Sequence, residues 1–282
     1  MDNSSGRLLF NNAGRLPFRR YLSLTRGGIL ESLTYRTGLF LNLLGNLVYM
    51  IVMFFLWRAI YASSPSTIVN GMTFRDTLVY LTMAGAIFST LEVYLVWKMG
   101  RDIQSGQISL YFTKPMDFFL REFFYVSGNV VIQLFLTLVP TLLIVCIFTG
   151  WSIPLGWNLL FFTASLFLAL LLNFSIDFIV GTLCLYTQSF WGINMVKEVI
   201  ILLLSGATVP IAFFPDTFRT VVLYLPFQAI YNVPLQILVS HTYTWADYAR
   251  GLGVQLFWVV VLVAAGRLFF RQSSKIITVN GG

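Results

Sequence analysis

The chain has 282 residues, 57% hydrophobic and 10% charged, with a mean hydropathy of +0.80. Soluble domains carry roughly 25% charged residues, so this composition excludes a water-soluble globular protein and describes a multi-span membrane protein. The net charge of +7 would suit nucleic acid, but the basic residues sit beside apolar runs, where they orient a membrane protein; no nucleic-acid partner is expected.

Residues 1–12 read as disordered. From Pro17 to Arg36 a helix is expected, with Phe18, Tyr21, Leu22, Ile29 and Leu33 on one side and Arg19, Arg20, Ser23 and Arg26 on the other. Such a helix lies in the membrane surface, with Gly27-Gly28 as a weak point; a plain basic leader is the alternative. The apolar runs that follow are continuous rather than alternating, so the spans are helices, not barrel strands. The first begins near Thr37, behind a leader too long for a signal peptide.

Six spans are predicted: residues 37–61, 77–97, 124–149, 157–186, 191–205 and 252–270. Residues 62–76 form a short loop, and Trp151, Pro154 and Gly156 form a turn. Between spans two and three, residues 100–121 form a polar, charged segment. Before span six, residues 206–240 are apolar, but Pro210, Pro215, Pro226 and Pro234 cut them into fragments. At 1.5 Å per residue, a fragment of about ten residues reaches only about 15 Å into a core of about 30 Å. Two short helices are expected there, Thr217–Leu225 capped by Asp216 and Gln228–Val239, dipping into the membrane and returning.

Six arginines precede span one, Lys98, Arg101, Lys114 and Arg121 lie between spans two and three, and Arg267, Arg271 and Lys275 close the chain. The opposite side carries little positive charge, so both termini and residues 100–121 are expected in the cytosol. The chain reads as one all-α domain in the cell membrane: an interfacial N-terminus (1–36), a six-span body (37–270) and a cytosolic tail (271–282).

No phosphate-cradling GxxxxGK[ST] sequence is present. His241 is the single histidine, which leaves no metal set and no serine–histidine–aspartate arrangement. Cys146 and Cys184 fall in apolar runs and read as buried thiols. No catalysis, metal or cofactor is expected in this chain. The remaining polar candidates lie in the spans. Asn173 and Asp177 are four apart and share a helix face. Asp177 and Lys197 sit at similar depth and are expected to pair, because each alone is costly in the membrane; the pair is either structural or part of a switch. Glu198 cannot join it, since neighbours point apart, and Glu92 reads as interfacial.

Gly106-Gln107-Ile108 followed by Lys114-Pro115 resembles the cytosolic "G-x-I/L … R/K-P" segment of the ABC type-2 exporter permeases, in the branch of small six-span subunits. Ser205-Gly206, Pro210, Phe213-Phe214-Pro215, Leu225-Pro226-Phe227 and Pro234 are similar to the family's run ahead of the last helix. Phe190-Trp191 and Gly281-Gly282 agree with it. The resemblance covers nearly the whole chain. It implies an amphipathic helix before span one, a coupling helix between spans two and three, and re-entrant helices before span six. It also implies two copies of a separate ABC ATPase, which bind ATP and magnesium, and a second permease subunit in a homodimer or heterodimer. Gly100, Arg101, Asp102, Gln104, Gly106 and Gln107 then become the ATPase-coupling residues, with Gly100 and Gly106 bracketing the turn. Pro210, Pro215, Pro226 and Pro234 frame the re-entrant gate. The implied function is export of a hydrophobic or amphipathic compound. A non-transporting sensor or scaffold coupled to the ATPase is the alternative; a channel lacks its selectivity element.

Overall fold

A computed structural model describes residues 19–34, 36–148, 156–187, 189–240 and 242–276. Pro17, Phe18, Trp151, Pro154, His241 and the closing glycines lie outside them. The described chain is helical: α1 (Arg19–Thr34), α2 (Arg36–Ala62), α3 (Phe74–Leu91), α4 (Leu95–Gln104), α5 (Ile108–Phe112), α6 (Phe118–Gln133), α7 (Val139–Phe148), α8 (Trp157–Leu183), α9 (Phe190–Leu204), α10 (Asp216–Tyr224), α11 (Gln228–Val239) and α12 (Trp245–Ser273). A two-stranded hairpin, β1 (Ile68–Val69) and β2 (Met72–Thr73), joins α2 to α3. The sequence reading had only a loop there. Asn70 and Gly71 both take positive φ, 49° and 79°, the geometry that an Asn-Gly pair favours in a tight hairpin.

Local chemistry starts the helices. Thr73 and Asp76 form a capping box on α3, with Thr73 Oγ1 accepting from the Asp76 amide at 3.2 Å. The Asp117 carboxylate caps α6, accepting from the Leu120 amide at 2.8 Å. α6 passes into α7 through a π turn, Leu134–Leu138. Pro140 follows at once; it has no amide hydrogen and its ring clashes with the preceding turn, which displaces the hydrogen-bond register.

Among the described residues, five helical stretches are long and apolar enough to cross a membrane: Leu44–Ala62, Phe74–Gln104, Phe118–Ile147, Trp157–Leu183 and Trp245–Ile276. The predicted fifth span is α9, whose 15 residues reach about 22 Å, short of the core thickness. Its contacts show how the chain still crosses. Phe190, at its start, packs on Trp97 with ring centroids 5.2 Å apart. Phe213, beyond its end, packs on Trp57 at 4.8 Å, close to the β hairpin. α9 and the residues up to Phe213 thus run from one end of the bundle to the other.

The fragments after Phe213 form a bent pair. α10 and α11 meet at 103°, the angle of an excursion that enters and leaves by one side. Asn158 Nδ2, at the head of α8, donates to Ser240 O at 3.2 Å, so the end of α11 returns to the hairpin side. α11 is almost wholly buried, against α8, α3 and α12, which supplies the protein packing that a short intramembrane helix requires. Pro234 lies inside α11 and does not break it; this corrects the expectation that all four prolines cut the segment. Asp216 is the first residue of α10, and Pro215 holds the cap position.

α1 lies along α6. Gly28 and Gly128 face each other, and a methyl on either would run into the backbone carbonyl of Tyr125 or Thr25. Gly28 is therefore a close-approach site rather than a weak point. Thr25 Oγ1 donates to Phe124 O at 2.8 Å, and Ser32 Oγ donates to Asn129 Oδ1 at 2.9 Å. Gly128→Leu should cost about 1–3 kcal/mol by overpacking. Hydrogen exchange in nanodiscs will then show faster exchange in α1 while α8 and α12 keep wild-type protection.

Candidate functional site

The second long crossing is broken in mid-course. α3 ends at Leu91, α4 begins at Leu95, and Tyr94 takes left-handed φ of 48°. A break in a helix frees backbone carbonyls, which must find partners inside the protein where no water reaches them. Asn173 Nδ2 donates to Leu91 O at 2.8 Å, and Asn129 Nδ2 reaches Glu92 O at 3.5 Å. Asn173, 6% exposed, thus seals the helix break.

Asp177 lies one turn further along α8 and is 2% exposed. Lys197 Nζ on α9 donates to its Oδ1 at 2.8 Å. Glu198 is not part of this ion pair and accepts from Asn194 Nδ2 at 2.5 Å. Glu92, Tyr94, Asn173, Asp177, Lys197 and Glu198 line one small cavity of about 30 Å³, room for little more than a water molecule. The break, the ion pair and the head of α9 thus form one unit. Neither the break nor the position of Glu92 beside the ion pair was read from the sequence. An acidic residue inside an apolar run was the available signal.

The chain beyond the break forms an elbow. α4 ends at Gln104, Gly106 turns the chain with φ of 72°, and α5 returns it. Arg101, Gln104, Gly106 and Gln107 are exposed. Gly100 is not at the bend; it is buried within α4, where a methyl would collide with the Phe190 ring. Asp102 does not project outward. It accepts from Lys98 Nζ at 3.2 Å and from Tyr111 Oη at 3.0 Å.

These bonds belong to a network that ties the elbow to α6. Lys98 Nζ also donates to Glu122 at 2.9 Å, and Arg121 donates to the same carboxylate. The Arg121 guanidinium stacks 3.7 Å from the Tyr111 ring centre, a favourable cation–π placement. Glu122 is 1% exposed; a carboxylate so placed needs its paired cations. A separate ion pair ties the head of α6 to α12, with Arg267 3.5 Å from Asp117. The sequence reading missed Glu122, although an acid within FFLREFFYV was visible.

The family model of the ABC-2 family transporter proteins matches residues 47–281. The chain belongs to the ABC-2 transporter family. It is a multi-pass membrane permease of an ABC transporter, and permeases of the family associate with an ATPase subunit. No curated protein matches the chain.

Asp177→Asn and Lys197→Gln should each cost about 3–5 kcal/mol, because each strands a buried charge or its partner. The double variant should recover part of this, with a coupling of about 0.5–3 kcal/mol. Thermal unfolding in detergent will measure the cycle; additive losses would mean that the two do not interact energetically.

Proposed function

We propose that this ABC-2 permease exports hydrophobic or amphipathic compounds from the cytoplasm, driven by two copies of a separate ATPase that binds ATP and magnesium. The chain itself is not an enzyme in this reading. A second permease subunit, identical or homologous, completes the transporter. Both termini and the elbow lie in the cytosol, as the distribution of lysine and arginine supports.

The observation that carries the reading is the elbow. Its tip, from Arg101 to Gln107, is largely exposed, while its base is fixed by Lys98, Glu122, Tyr111 and Arg121. A firm base with an exposed tip suits a reversible polar contact that transmits force. We assign the contact with the ATPase to Arg101, Gln104, Gly106 and Gln107, with Gly100 and Asp102 positioning the elbow from within. Nucleotide-driven closure of the ATPase pair pushes the tip. α4 turns about the break at Glu92–Tyr94 and carries α9 with it through Trp97, Gly100 and Phe190. The route opens beneath the re-entrant pair framed by Pro210, Pro215, Pro226 and Pro234.

Arg101→Glu combined with Gly106→Trp should remove about 2 kcal/mol or more of binding energy, as loss of an interface hot spot does. Co-purification of the ATPase and substrate-stimulated ATP hydrolysis in liposomes should then fall together while membrane insertion stays normal. Unchanged ATPase recruitment and transport would remove the elbow from the coupling path.

A further inference from the structure

A second cavity, of about 370 Å³, lies beside the helix break. It falls within the size range of small-molecule sites, roughly 300–1,000 Å³. α2, α3 and the end of α9 form its walls. Small residues make the space: a methyl on Gly45 would meet nothing within 4 Å. Its polar groups are few. Asn46 and Ser89 bond to one another, with Asn46 Nδ2 donating at 2.8 Å, so they satisfy each other rather than a ligand.

Glu92 and Phe88 line this cavity and the smaller one beside Asp177. Among the described residues Glu92 makes no salt bridge. Lys197, Asp177 and Glu198 line the smaller cavity with it, and the Lys197 ammonium is taken by Asp177 at 2.8 Å. The cavity therefore joins an apolar body to a single carboxylate that no salt bridge holds among the described residues. Two aromatic rings, Tyr49 and Phe88, stand in its wall, and aromatic faces attract organic cations.

We propose that this cavity is a substrate site for lipophilic cations, with Glu92 as the residue that selects for positive charge. An apolar body fills the space between α2, α3 and α9, and a delocalised or quaternary cation lies against Phe88 and the Glu92 carboxylate. The proposal deepens the export reading and rests on it for the word substrate. Binding needs neither ATP nor the ATPase, so the site and the coupling scheme fail separately.

The test uses two ions of the same shape and opposite charge. Equilibrium binding of radiolabelled tetraphenylphosphonium and of tetraphenylborate is measured on the purified full-length chain in detergent. The wild-type chain should bind the cation and discriminate against the borate. Glu92→Gln should weaken cation binding by about thirtyfold or more, as expected when one partner of a desolvated charge pair is removed. Glu92→Asp, which keeps the charge, should retain much of the affinity. Gly45→Leu fills the space without touching a charge and should weaken binding of the cation too, while Asp247→Asn, at the far end of the bundle, should change nothing. Gel filtration and thermal unfolding of each variant separate lost binding from lost folding. Equal binding of the two ions, no binding of the cation by the wild-type chain, or full affinity in folded Glu92→Gln would each overturn the proposal. If Glu92→Gln does not fold, full affinity in Gly45→Leu overturns it as well.

Discussion

Inside a bilayer, no water is available to a backbone carbonyl or a charged side chain, so each must find its partner within the protein. In this permease that constraint concentrates at Glu92–Tyr94, where a crossing helix is broken and Asn173 takes the freed Leu91 carbonyl. The Asp177–Lys197 pair sits against the same break and joins α8 to α9. A break satisfied by side chains, rather than by continuous helix, can change its angle without exposing polar groups to lipid. The polar residues therefore do two things at once: they make the interruption tolerable, and they tie it to the neighbouring helices.

Around this point the protein alternates firm and adjustable parts. The glycine contact between α1 and α6 brings two backbones together and holds α1 against the bundle. The Lys98–Glu122–Arg121 network fixes the base of the elbow to α6. α9 touches α4 mainly through Phe190, Trp97 and Gly100, a small contact of rings on a flat helix face. In our reading, force passes along this sequence of contacts, from the exposed tip through α4 to α9 and the cavity wall at Leu202 and Ala207.

Much of this plan was legible in the sequence because the membrane imposes simple length rules. Continuous apolar runs placed the long crossings but not their ends, since the second runs on to Gln104 and the last begins at Trp245; the proline spacing placed α10 and α11. The Asp177–Lys197 pair followed from the cost of an isolated charge. Other features depend on tertiary contact and leave weak local traces. Tyr94 has no local reason to adopt left-handed geometry; Asn173 and Asn129, distant in sequence, make it possible. Gly28 and Gly100 read as flexible points, yet both are small because another helix lies against them. Pro234 read as a breaker, but its helix is buried on all sides and continues through it. Asp102 read as a docking charge, although Lys98 four residues earlier marks a helical ion pair; the bond to Tyr111 depends on the fold of the elbow.

The most direct test is whether α4 moves about the break as one body with α9. Spin labels would be placed in a chain whose Cys146 and Cys184 are replaced by alanine, at Ser105 on the elbow, Ser66 near the β hairpin and Trp191 at the head of α9, all exposed. Distances would be measured by pulsed electron resonance in the transporter assembled with its ATPase, with and without trapped ATP. The account predicts that the Ser66–Ser105 distance shifts on trapping while the Ser105–Trp191 distance holds. A fixed Ser66–Ser105 distance, or an elbow that moves away from Trp191, would contradict it.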